Sequence, residues 1–147
     1  MTDFPVEMRA LLADASQCGM YFVDARDRDA LATAARSLDF AQATIDFDGC
    51  RDRDDALARL AAALAFPDWF GGNWDALADC LSDLSWWPAD GYLLLLEHVD
   101  DWRAAAPADF DTLMDIANDA AAGWARLRKP FWVLMPLPAA ALATMAD

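Results

Sequence analysis

The run GYLLLLE, residues 91–97, restricts the fold more than any other stretch of the chain. Four consecutive leucines lack the alternation of a half-exposed strand, and the run is too short for an ordinary helix. It therefore reads as a strand covered by apolar atoms on both faces. Strands of that kind occur where helices pack on both sides of a parallel sheet, and this one is expected at the sheet's centre. GMYFVDA (19–25) and ATIDFDG (43–49) read as further strands. KPFWVLMPL (129–137) reads as a last one, with Pro130 and Pro136 acceptable only at its two ends.

Helical stretches lie between these strands. One runs from about Asp27 to Ser37. A second covers 51–66, with Asp52 as N-cap, a stripe of Leu57, Leu60 and Leu64, and Pro67 expected to end it. A third starts after the N-cap Asn73 and runs from Trp74 to about Leu84. A longer one follows Pro107, with Leu113, Ile116 and Ala120 on its buried face. A helical turn or two is expected over Val6–Ala13, an irregular turn or short helix over 98–106, and a frayed end or short helix in the tail AAALATMAD. The fold class that follows is α/β, a small parallel β-sheet of three or four strands packed with helices. With 147 residues and neither repeats nor a low-complexity linker, the chain is expected to form a single domain, 1–147, in which 1–42 adds a strand and a helix.

Charge narrows the function classes. The chain has 25 acidic and 11 basic side chains, a formal net charge of −14, which repels phosphate backbones and anionic membranes and attracts a cationic partner. Direct nucleic-acid and membrane binding are both disfavoured. Cys18, Cys50 and Cys80 are odd in number and widely spaced, so they suggest buried thiols rather than a disulfide framework or a zinc site. The N-terminus MTDFPVEMRALLADA has no basic region followed by an apolar core, and no stretch approaches a membrane span, which points to the cytoplasm.

The most unusual local feature is FPDWFGGNWDALADCLSDL, residues 66–84. At 100° per residue, Leu77, Cys80, Leu81 and Leu84 form one face of the helix, and Asp75, Ala78, Asp79 and Ser82 form the other. Two carboxylates one turn apart repel by about 0.2–0.5 kcal/mol, which a solvated helix face easily tolerates. The neighbours favour a docking patch instead. Gly71 and Gly72 allow close backbone approach, Ala78 and Ser82 are small, and Trp69 and Phe70 supply apolar contact at the rim. One of these two aromatics is expected in the core, and Phe70 is the choice.

The segment P-D-W-F-G-G-N-W-D-A-L-A-D-C-L, residues 67–81, resembles the barstar family of intracellular ribonuclease inhibitors, as does the order of elements over 43–137. The resemblance implies a non-catalytic protein, without cofactor or metal, that enters the active site of a basic ribonuclease with its acidic helix. Asp79 matches the carboxylate that takes the place of a substrate phosphate, and Asp75 matches its acidic neighbour. Trp69, Phe70, Gly71, Asn73, Trp74, Ala78 and Ser82 complete the implied partner-binding face. Asp119 on the long helix, or Asn118 in a register slipped by one, matches a further acidic contact. Ala78 departs from the family, where that position is often aromatic, and Trp74 is heavier than the usual aliphatic residue.

The role implied is toxin immunity, with a basic ribonuclease or similar nuclease toxin as partner and a monomer when free. Two rival readings remain. One is a barstar-like interaction domain or immunity protein whose partner is not a ribonuclease. The other is a metal-dependent hydrolase using Asp75, Asp79 and Glu97. His98, the only histidine, reads as a surface or packing residue rather than a catalytic one, and Trp86 and Trp87 as plugs between the helix end and the sheet.

Overall fold

A computed structural model describes residues 3–145. Its strands are β1 (Met20–Asp24), β2 (Ala41–Asp46), β3 (Tyr92–Glu97) and β4 (Phe131–Leu137). They form one four-stranded sheet in the order β1-β4-β3-β2, and every pairing is parallel. The leucine run is thus a central strand, flanked by β2 and β4, and it shares the centre with β4, whose residues are all buried.

Alternation along β3 splits the leucines between two cores. Leu93 and Leu95, with Trp132 and Leu134 of β4, face α1 (Asp3–Ala13) and α2 (Arg28–Ser37) through Leu12, Leu31, Ala32 and Ala35. Leu94 and Leu96, with Val133 and Met135, face the opposite side. There α3 (Arg53–Ala63), α4 (Trp74–Asp83) and α6 (Pro107–Arg126) contribute Leu57, Leu60, Leu77, Leu81, Leu113 and Trp124. Each buried leucine stabilises the fold by about 1.5–3 kcal/mol relative to exposure, so both faces of the run contribute. The two short helices are α5 (Asp100–Ala105) and α7 (Ala139–Met145); the last two residues of the tail, 146–147, lie outside the described residues.

Several boundaries differ from the sequence reading. Helix α3 stops at Ala63, before Pro67 can act: Ala65 takes φ 52°, the Phe66 amide bonds to the Ala61 carbonyl at 3.0 Å and the Ala65 amide to Ala62 at 3.4 Å. This is a left-handed C-terminal cap with alanine where glycine is usual, so no glycine signalled it. Strand β2 starts at Ala41 and ends where the Asp46 carboxylate accepts the Asp48 amide at 2.9 Å. On α6 the buried face is Phe110, Leu113, Ala117, Ala120, Ala121 and Trp124, and Ile116 is only half-buried.

Pro136 lies inside β4 rather than at its end, and the register explains why. The β3 pairing stops at Leu95 with Leu134, so the missing N–H of Pro136 falls beyond the shared ladder, alongside Val23 of β1. The strand-helix segment ahead of residue 42 is part of the same sheet. Its edge strand β1 is pegged by Asn118 of α6, whose Oδ1 accepts the Met20 amide at 2.9 Å. Gly19 leaves the room for this, since a Cβ there would lie 2.8 Å from that oxygen.

Candidate protein-binding site

The acidic helix is fixed at both ends before any partner is involved. Gly72 adopts φ 71°, which L-residues rarely take, and turns the chain into Asn73. The Asn73 side chain then accepts the Ala76 amide at 2.8 Å as the N-cap of α4. Leu77, Cys80 and Leu81 bury one face in the core, and Leu84 closes the helix at φ 48°. Trp124 Nε1 of α6 donates to the Leu81 carbonyl at 2.8 Å, which blocks rotation of α4 about its axis.

On the opposite face Asp75, Asp79 and Ser82 are exposed and Ala78 is half-buried between them. Neither Asp75 nor Asp79 has an ion pair or a side-chain hydrogen bond among the described residues. Asp75, in the first turn of α4, benefits from the positive end of the helix dipole. Asp79, one turn on, has no such compensation. The arrangement therefore presents two carboxylates on a rigid support with their acceptor capacity free, suited to guanidinium, ammonium or imidazolium donors.

The aromatic rim divides as read. Phe70 is half-buried, its ring 4.8 Å from that of Phe66, whereas Trp69 is 55% exposed. Trp74 is half-buried against the core. What the sequence reading missed is Trp86. Besides packing against the core, it donates from Nε1 to Leu64 O at 3.1 Å, and its ring meets Phe66 edge-on at 5.9 Å and Trp69 at 6.4 Å. Trp86 is thus the buttress under the exposed Trp69 indole. The partner was legible only as an aromatic near the helix end, and nothing local gave its direction. Trp87 packs on Tyr92 of the sheet at 5.4 Å, with its carbonyl accepting the Tyr92 hydroxyl at 2.7 Å.

On α6, Asp119 is exposed. Asn118 is exposed as well, but its Oδ1 is engaged by the Met20 amide, whereas the Asp119 carboxylate has no ion pair or side-chain hydrogen bond among the described residues. Glu97, the third carboxylate of the hydrolase reading, pairs with Arg28 at 3.3 Å. Asp75, Asp79 and Glu97 do not come together, as no group of three or more candidate metal ligands occurs among the described residues. Cys80 is fully buried, and burial raises its thiol pKa, so it is a packing residue. His98 sits at the surface with Nδ1 2.7 Å from Asp46 Oδ1.

No helix of the described residues is long and apolar enough to cross a membrane. A family model described as "Barstar (barnase inhibitor)" matches residues 40–136, which include every residue of the face just described. No curated protein matches the chain. Among solved structures, the Aeropyrum pernix ORC2 protein, determined in ADPNP-ADP complexes, aligns with 97% of this chain and 42% of its own at a TM-score of 0.58 and 17% identity. At that identity the likeness speaks for the fold alone, and the chain spans less than half the length of that protein.

Proposed function

The chain belongs to the barstar family, and from that premise we propose that it inhibits a cationic ribonuclease, either secreted by the cell or delivered as a toxin, by occluding the active site with α4. The observation that carries this reading is the pair Asp75 and Asp79: exposed, one turn apart and without internal partners. A ribonuclease active site is built to hold a phosphate between cationic donors, and a carboxylate held rigidly there satisfies the same donors without being cleaved. Asp79 takes the phosphate position and Asp75 the neighbouring cations. Asn73, Gly71 and Gly72 hold the loop close to the enzyme, Trp69 covers the rim with Trp86 beneath it, and Phe70 and Trp74 anchor the face to the core. Asp119 extends the acidic surface onto α6.

The net charge of −14 supports the same reading, because it accelerates encounter with a basic enzyme while opposing competition by RNA for the same surface. Ala78 leaves a shallow place on the face where the family often has an aromatic side chain. The partner is therefore expected to bring a larger side chain of its own to that point. Such an inhibitor acts as a monomer in the cytoplasm, where the RNA to be protected is found.

The test is twofold. Affinity capture with the tagged full chain should recover a small basic nuclease, and adding the pure chain should abolish that enzyme's cleavage of RNA at a one-to-one ratio. Recovery of a non-nuclease that binds through Asp75 and Asp79 would favour an interaction domain over an inhibitor.

A further inference from the structure

A second charged surface is opposite in sign to the first. Residues 120–146 contain no aspartate or glutamate in a chain that has 25 such residues, and the only charges in that span are Arg126, Arg128 and Lys129. All three sit at the end of α6, where the chain turns into β4. The turn is well tied. The Leu127 and Arg128 amides bond to the Trp124 and Ala125 carbonyls at 2.9 Å each, and the Lys129 amide returns to Trp124 O at 3.0 Å, with Arg128 at φ 58°. Lys129 Nζ lies 5.6 Å from the centre of the Trp124 ring and is partly occupied there.

Arg126 and Arg128 remain exposed and have no ion-pair partner among the described residues; Arg9, Arg36, Arg51 and Arg103 are unpaired as well, but only Arg126 and Arg128 are separated by a single residue. Both arginines flank a hollow of about 480 Å³ against Ala13–Ser16, with Asp14 the one carboxylate on its wall. Leu127, between them, is 71% exposed, the most of any large hydrophobic side chain described. Cations at a helix C-terminus complement its dipole, which suffices to explain Arg126. It does not explain why an apolar side chain and a second unpaired guanidinium stand outward beside it.

We propose that this turn is a docking surface for an acidic segment of a partner protein, one with carboxylates on either side of an apolar residue. Each guanidinium can take a carboxylate through paired N–H donors, and Leu127, next to both in the chain and outside the hollow they line, offers an exposed apolar contact beside them. A long polyanion fits less well. Three cations release few counterions, and the net charge of −14 opposes an extended chain of phosphates. A short segment experiences mainly the local field, since charges beyond about 8 Å are screened at physiological salt.

Fluorescence anisotropy tests this with the full chain and three labelled probes: a peptide alternating glutamate and leucine, its glutamine counterpart, and a single-stranded RNA oligomer of equal length. Only the acidic peptide should saturate, with an affinity that falls as salt rises. The double variant R126A/R128A should weaken it roughly tenfold or more, and L127A several-fold. Because these side chains are exposed, circular dichroism and thermal melting should be unchanged. D75N/D79N should bind the peptide no more weakly than the parent, which separates this surface from α4. Absence of saturable peptide binding, equal binding by R126A/R128A, or tighter binding of the RNA through the same arginines overturns the proposal.

Discussion

Trp124 and Leu81 are joined by a hydrogen bond of 2.8 Å from the indole N–H to the main-chain carbonyl, and through it the long helix sets the orientation of the acidic one. The Leu81 carbonyl belongs to the last turn of α4, where carbonyls have no partner within the helix. Trp124→Phe preserves most of the packing and orphans that carbonyl. The expected loss is about 1–3 kcal/mol in urea denaturation; a loss within error would mean that packing alone orients α4.

Asp79→Ala should separate binding from stability. Losing a charged acceptor should raise the dissociation constant for the captured nuclease roughly tenfold to a hundredfold, mainly through the off-rate. The melting temperature should hold or rise slightly, because the variant also removes repulsion from Asp75 of about 0.2–0.5 kcal/mol. Surface plasmon resonance and differential scanning calorimetry on the same preparation read the two effects.

Trp69 and Trp86 should respond differently to truncation. Trp69→Ala removes an exposed ring and should weaken partner binding with little change in melting. Trp86→Ala removes the buttress and a hydrogen bond to Leu64 O, so it should lower both. Equal stability of the two variants would refute the buttress role.

Ala65→Gly should stabilise the protein. Alanine at φ 52° costs about 1–2 kcal/mol that glycine avoids, part of which is offset by glycine's greater freedom when unfolded. A net gain of about 0.5–1 kcal/mol in urea denaturation is expected. A destabilised variant would show that the alanine methyl group packs usefully.

His98 carries a pH dependence of definite sign. The hydrogen bond to Asp46 is the main cause that raises its pKa above the ordinary 6.5, with Asp48 and Glu97 adding charge attraction. Its stabilising share is therefore complete below about pH 6.5 and is lost as pH rises through the raised native value. Asp46, depressed first by the Asp48 amide and then by His98, contributes above its ordinary value and loses its share as pH falls through the lowered one. Both groups are exposed, so the effect on stability is small. NMR titration of the imidazole should give a midpoint above 6.5 that drops toward it in Asp46→Asn; an unmoved midpoint would rule out the pairing.

Much of the local architecture was legible because it depends on neighbours a few residues apart. The caps Asp52 and Asn73, the two-face pattern of α4 and the buried run of β3 each follow from side-chain type at a spacing of two, three or four. The end of α3 was not legible, because the left-handed residue is Ala65 and alanine announces nothing. Pro136 inside β4 was misplaced for a related reason: whether a missing N–H matters depends on where the neighbouring strand stops.

The sequence by itself determined which segments become strands and helices, and that Asp75 and Asp79 share a solvent-facing side, since both follow from periodicity and from the transfer of apolar side chains out of water. Only the tertiary structure decided the sheet order, the pegging of β1 by Asn118, the support of Trp69 by Trp86, the His98–Asp46 pair across 52 residues, and the placing of Arg126 and Arg128 beside Ala13–Ser16. These are meetings between distant parts of the chain. Chain closure, packing and screening set them together, and no local spacing encodes them.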